Sequence, residues 1–249
     1  MKKLLYFDLE HGSQTIGGAK DINNLFGFPE LEPSTFGEFQ DIIKQLYAPK
    51  KVESKVKIGD LEIKQTTRKV VPKSNTKIDG IIIDTVSELS KKYQRSLTDR
   101  EGKMQINDWG RLRNTLDKLM DMLTMLPGIL ICNCHAKIQN LEDGGTKIVP
   151  YIDGSTKEDI SKWFDFVFYC KTKTNLKGET SYIWRTRRTE KYDNAKDRSQ
   201  ILADEIPQNY LPVFDAVKKK GWDGAKILII GSPGAGKTYS LQTINERKS

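Results

Sequence analysis

Nowhere in these 249 residues does an apolar run approach the roughly 20 residues that a membrane span requires. The opening Met1-Lys2-Lys3 and Leu4-Leu5-Tyr6-Phe7 could pass for a signal peptide. The apolar stretch stops at Asp8, however, and no small-residue cleavage site follows, so the segment reads as a strand. A soluble, cytoplasmic protein is expected. Cysteine is scarce: Cys132, Cys134 and Cys170 are too few, and odd in number, for a disulfide framework. Cys132-Asn133-Cys134-His135 looks like half a zinc site, but no second ligand pair of suitable spacing follows, so buried thiols on a core strand are expected. Histidine is scarcer still, with only His11 and His135, both at the ends of predicted central strands. Internal repeats and low-complexity tracts are absent. Acid falls short of base, 33 residues against 41, which gives a net charge of +8 and an attraction to polyanions such as nucleic acid.

The 37% of hydrophobic residues suffice for a sizeable core, and the length suits one α/β domain carrying insertions. The order is strand, connection, strand, helix, repeated, which predicts a mostly parallel sheet covered on both faces. Strands are expected at 4–8, 80–84, 128–134, 164–170, 181–185 and 226–230, several of them continuous apolar runs of the doubly buried kind. Helices are expected at 35–47, 86–94, 107–125, 157–163 and 236–246. In the third, Leu112, Leu116, Leu119, Met120 and Leu123 recur at helical spacing and form a core stripe. Two segments look inserted. Residues 49–77 are basic, with a hairpin predicted around Gly59-Asp60, and 137–152 read as a second hairpin turning at Asp143-Gly144-Gly145.

Lys226-Ile227-Leu228-Ile229-Ile230 leads into Gly231-Ser232-Pro233-Gly234-Ala235-Gly236-Lys237-Thr238, and a helical pattern through Tyr239 follows. This is G-x-x-x-x-G-K-[ST] with the strand before it and the helix after it that the chemistry needs. The glycines let successive N–H groups converge on phosphate oxygens at the positive end of the helix dipole. Lys237 places a point charge on the β- and γ-phosphates, and the Thr238 hydroxyl is a Mg²⁺ ligand, so ATP and Mg²⁺ are the expected cofactors. Ile81-Ile82-Ile83-Asp84 is an apolar strand ending in an acid, the pattern of a carboxylate that holds the metal through water.

The motif order is unusual, because the phosphate loop comes last. Joining Ser249 to Met1 would restore the familiar order, with residues 238–248 feeding into the first strand and a former linker near 218–223, where Lys218-Lys219-Lys220-Gly221 stands. So rotated, the whole chain resembles the short, core-only RecA-like ATPases of phages. The resemblance is carried by Gly231–Thr238, Asp8-Leu9-Glu10, Asp84-Thr85 with Ser87-Glu88-Leu89, Trp109-Gly110, Asn133 to Lys137, Asp165 and Asn194-Ala195-Lys196-Asp197-Arg198.

The resemblance implies a circularly permuted RecA-like fold in a single α/β domain and a homo-oligomer, ring or filament, acting on single-stranded DNA in recombination or annealing inside a bacterial host. It implies that Glu10 polarises the attacking water and that His135 or Asn133 senses the γ-phosphate. It also implies that Lys196 and Arg198, or Arg185, Arg187 and Arg188, reach a neighbouring subunit's nucleotide. The 137–152 hairpin occupies the place of a DNA-binding loop, yet Glu142 and Asp143 and the lack of aromatics besides Tyr151 speak against contact there. The basic insertion 49–77 is the better candidate for phosphate contacts. Two other functions stay open: a small-molecule kinase, with 185–198 as an arginine-bearing lid, and a nucleotide switch that binds without turnover.

Overall fold

The computed structural model describes residues 2–17, 19–154 and 156–245. In chain order the elements are β1 (Leu4–Asp8), α1 (Ala19–Phe26), α2 (Phe36–Leu46), β2 (Tyr47–Ile58), β3 (Leu61–Pro72), β4 (Gly80–Asp84) and α3 (Val86–Leu97). Then come α4 (Ile106–Thr124), β5 (Ile129–Asn140), β6 (Thr146–Pro150), α5 (Thr156–Asp159), β7 (Phe166–Thr174), β8 (Thr180–Arg185) and β9 (Lys196–Asp197). The last are β10 (Glu205–Pro207), α6 (Leu211–Lys219), β11 (Lys226–Gly231) and α7 (Lys237–Ser240). Short 3₁₀ turns cover Gly12–Ile16, Ile160–Trp163 and Leu241–Ile244.

The main sheet runs β1-β4-β5-β11-β7-β8-β10. Its first five strands are parallel; β8 and β10 add antiparallel pairs at one side. The parallel strands are buried on both faces, as their unbroken apolar runs predict. Leu5, Phe7, Ile81 and Ile83 pack with α2, α3 and the Leu112–Leu116–Leu119–Leu123 stripe of α4 on one face. Tyr6, Ile82, Ile131, Ile227 and Ile229 pack on the other with α1, α6 and the turn after α7. Alternation at period two thus sends neighbouring residues to opposite cores, and the result is the expected mostly parallel α/β fold.

Several expectations need correction. Lys218 and Lys219 are the last turn of α6 rather than linker, because Val213, Ala216 and Val217 give that segment a buried face. The helix expected at 236–246 is shorter and tightens into a 3₁₀ turn after Ser240; Glu246, and the proposed junction of Ser249 with Met1, lie outside the described residues. α1, α6, β9 and β10 have no counterpart among the expected elements.

The basic insertion forms an arm, β2 against β3, with twelve residues in each strand. Alternation puts Lys51, Lys55, Lys57, Lys64 and Arg68 on one side, and Val56, Ile58, Leu61 and Ile63 on the other. The arm leaves the body where Lys73 N–H bonds Leu46 O and Asp79 N–H bonds Lys3 O, at the N-terminal ends of the parallel strands.

Candidate active site

Parallel strands aim their carboxyl ends at one edge of the sheet, and in open α/β sheets ligands bind there. β11 ends in the glycine-rich loop. Gly234 and Gly236 take φ of 73° and 84°, which is left-handed backbone that a side chain strains. The loop folds on itself through Ala235 N–H to Ser232 O, and Gln208 Nε2 donates to Ala235 O at 2.9 Å. Lys237 is almost fully buried: its Nζ donates to Gly231 O at 2.9 Å and Ser232 O at 3.0 Å, and lies 3.5 Å from His135 Nδ1. Chain curvature thus holds the ammonium at the centre of the loop.

The next strands supply the acids. Thr238 Oγ1 donates to Asp84 Oδ2 at 2.6 Å, and the buried Tyr6 phenol donates to the same oxygen at 3.1 Å. Burial raises the Asp84 carboxyl above its ordinary value, and the Thr238 and Tyr6 hydroxyls counter that effect. Asp8 has a different task. Its Oδ1 accepts from Glu10 N–H and Gly12 N–H and its Oδ2 from Ser13 N–H, so it folds the loop that presents Glu10.

Glu10 is held by two groups. His135 Nε2 lies 2.7 and 2.8 Å from its two oxygens, and Thr85 Oγ1 donates to Oε1 at 2.7 Å. Burial disfavours the charge, but the hydrogen bonds from His135 and Thr85, with the charges of His135 and Lys237, outweigh it and hold Glu10 below its ordinary value. Thr85 also accepts from Glu88 N–H as the cap of α3, while Ser87 Oγ accepts from His135 N–H. The first turn of α3 therefore sets both partners of the Glu10–His135 pair.

The structure brings Glu10, Asp84, His135, Lys237 and Thr238 together. Of the two sensor candidates, the His135 ring meets Glu10 and Lys237, whereas Asn133 is fully buried in the ladder opposite Asp84. His11 turns outward to Glu32, 3.3 Å away. Lys196 and Arg198 are not at this site. They stand by the N-terminal end of β7, at the other edge of the sheet, where Lys196 Nζ caps Ser161 O and Phe164 O and Arg198 pairs with Asp165 at 2.8 Å. Arg185 and Arg187 approach Asp204 at 3.8 and 3.5 Å, and Arg185 also Glu205 at 3.8 Å; Arg188 lies in a cleft against the β5–β6 hairpin.

A cleft of about 560 Å³ opens beside the loop, lined by Thr15, Tyr182, Gly234, Gly236, Lys237, Thr238 and Tyr239. Tyr182 and Tyr239 are both exposed and flank it, a suitable arrangement for a flat, stacked base. A second, shallower cleft runs past Ser232, Pro233, Gly234 and Ala235 towards Lys171 and Tyr192. Sequence reasoning misses Tyr6, Gly12, Thr15, Tyr182 and Gln208. Only Tyr6 carries a signal, since it sits two residues before Asp8 on the same strand face.

The residues fit a magnesium–triphosphate ligand. A Cβ on Gly12 would lie 3.5 Å from Thr238 Oγ1 and 3.6 Å from Asp84 Oδ2, so the glycine keeps the space beside these two oxygen donors open. A hydroxyl and one carboxylate suit a hard cation that keeps waters and phosphate oxygens as its other ligands. Among the described residues no group of three His, Cys, Asp or Glu side chains is placed to hold a metal alone. Cys132 and Cys134 are buried free thiols, burial pushes Cys134 up to about 11, and His135 is engaged by Glu10.

No helix among the described residues is long and apolar enough to cross a membrane. Comparison with known proteins adds one finding. A family model described as an AAA domain matches residues 1–199, a span that holds Glu10, Asp84 and His135 and stops before the phosphate loop. No curated protein and no solved structure matches the chain. With most of its length covered by that match, and a phosphate loop closing onto the strand-end acids, the chain belongs to the AAA domain family and is a P-loop nucleoside triphosphatase.

Proposed function

We propose that the protein hydrolyses ATP with Mg²⁺, with Glu10 as the base, and does so while acting on single-stranded DNA in phage recombination or annealing. The observation that carries hydrolysis is the Glu10 carboxylate, kept ionised by His135 and Thr85 and linked through the His135 ring to Lys237. Thr238 and Asp84 would hold the metal, and Lys237 the β- and γ-phosphates. Mg²⁺ held there would supply positive charge against the charge that develops on the phosphates. A water beside the γ-phosphate would give a proton to a Glu10 oxygen as its own oxygen bonds the γ-phosphorus. The bond from that phosphorus to the β-phosphate oxygen breaks, so that ADP and phosphate leave. His135 and Thr85 hold the Glu10 carboxylate in place for the transfer. Tyr182 and Tyr239 would stack the base.

The DNA part rests on charge. The arm presents Lys51, Lys55, Lys57, Lys64 and Arg68 on one side, with Glu53 and Glu62 among them and Lys55 paired to Glu62 at 2.6 Å, and the chain carries +8 overall; the surplus of base suits phosphate contacts. The same proposal includes the permuted order. β11 lies at the centre of the sheet, between β5 and β7, and Asn245 hydrogen-bonds both backbone groups of Lys2, at 2.7 and 3.1 Å, so the end of the phosphate-loop segment abuts β1. It also includes a homo-oligomer in which Lys196 and Arg198 face a neighbour's nucleotide, for which they would exchange their present partners, Ser161 O, Phe164 O and Asp165.

Hydrolysis measured with and without single-stranded DNA, at low and moderate salt, tests the reading. Stimulation that weakens as salt rises is expected, because released counterions drive phosphate contacts. Turnover indifferent to DNA would remove the DNA assignment and leave the hydrolysis.

A further inference from the structure

Near its end the phosphate loop contains a peptide whose direction matters. The bond between Ala235 and Gly236 is trans, so its carbonyl and its N–H point to opposite sides. Gln208 Nε2 donates to Ala235 O at 2.9 Å, which turns the Gly236 N–H away from Gln208. That N–H has no acceptor among the described residues, and Gly236 lines the cleft beside the loop. A free N–H in such a place is a donor for a phosphate oxygen.

Gln208 is itself braced from behind. Its backbone N–H donates to Tyr182 O at 3.2 Å, and Nε2 also reaches Ile183 O at 3.3 Å, so β8 holds the residue by main chain and side chain. Both neighbours of Nε2 are carbonyl oxygens, and only the amide nitrogen can face them. Oε1 then packs on the loop: a Cβ on Gly236 would lie 2.6 Å from it. Two residues on, Tyr210 N–H donates to Thr243 Oγ1 at 3.0 Å, in the turn after α7. The stretch 208–210 therefore ties the strand that carries the Tyr182 ring to the loop and to the far end of its helix.

We propose that Gln208 is a positioning residue of the phosphate cradle. It fixes the Ala235–Gly236 peptide so that the Gly236 N–H meets a phosphate oxygen, and it sets the separation of that donor from the Tyr182 ring. It touches no reacting atom, so it acts on nucleotide affinity and not on the chemical step. This rests on the reading of the loop as a triphosphate site.

The test compares the full chain with its Gln208→Met, Gln208→Glu and Asn209→Ala variants, by titration with ADP and ATP and by steady-state phosphate release. Methionine matches glutamine in length and donates nothing. Gln208→Met should weaken both nucleotides and raise KM about tenfold, the effect of one lost donor. Its kcat should stay within about twofold of wild type, because the cradle holds ground state and transition state alike. Gln208→Glu keeps the shape but sets a carboxylate against two carbonyl oxygens, and should lose more. Asn209→Ala removes the acceptor of Leu211 N–H at the head of α6, 2.7 Å away; it should lower the melting temperature and leave KM near wild type. A KM within about twofold of wild type in both Gln208 variants, a loss confined to kcat, or an equal rise of KM in Asn209→Ala would overturn the positioning role while the loop assignment stands. A wild-type chain that binds neither nucleotide would overturn the loop assignment itself, and this role with it.

Discussion

Replacing Glu10 by Gln is expected to lower turnover by about a hundredfold or more while nucleotide binding stays near wild type. The amide keeps the shape of the carboxylate and can still accept one hydrogen bond from His135 or Thr85, so the pocket need not rearrange. What it loses is the charge and the capacity to take a proton. The carboxylate is held ionised against burial by His135, Thr85 and Lys237, and removing it from that environment deletes a base rather than a packing group. Steady-state phosphate release gives the rate, and titration with a fluorescent nucleotide gives the affinity. A Glu10→Gln chain turning over within about threefold of wild type would reject Glu10 as the base, since general bases contribute on the order of 10²–10⁴.

The second large effect is expected from Lys237→Ala, which should weaken triphosphate binding by about a hundredfold, or about 3 kcal/mol. Lys237 is buried and reaches two carbonyls of its own loop and the edge of His135. Its truncation removes a buried positive charge from the centre of the loop and leaves Gly231 O and Ser232 O without their donor. The loss should be steeper for triphosphate than for diphosphate, because the ammonium serves the outer phosphates. Isothermal titration with both nucleotides checks this. Equal affinities for wild type and Lys237→Ala would overturn the assignment of the loop.

These two variants also separate the functions left open. A non-hydrolysing switch would show Lys237-dependent binding and no Glu10-dependent turnover. A small-molecule kinase would show Lys237-dependent transfer of phosphate to an acceptor in place of Glu10-dependent phosphate release.

Much of the site is legible in the order of the residues. The glycines of the phosphate loop, Lys237 and Thr238 act through contiguous backbone, so their spacing alone predicts a phosphate cradle. Asp84 and Asp8 end apolar runs, and parallel strands buried on both faces read as such runs; β1 and β4 fall where expected, at Leu4–Asp8 and Gly80–Asp84. The exposed arm is legible from alternation around Gly59-Asp60. Its full length is not, because polar residues on both strands hide the period.

The pairing of those residues is not legible. Thr238 meets Asp84 across 154 positions, His135 meets Glu10 across 125, and Lys237 approaches His135 across 102. Such contacts depend on strand order and register, and a slip of one residue would turn each side chain to the other face. For the same reason only the fold could bring His135 rather than Asn133 to Glu10, make Thr85 a partner of Glu10, or carry Lys196 and Arg198 to the far edge. By itself the sequence determined the chemistry this protein has at its disposal, because local backbone geometry and hydrophobic period are properties of neighbouring residues. The tertiary structure alone decided which of those groups work together, because sheet order brings distant strand ends to one edge.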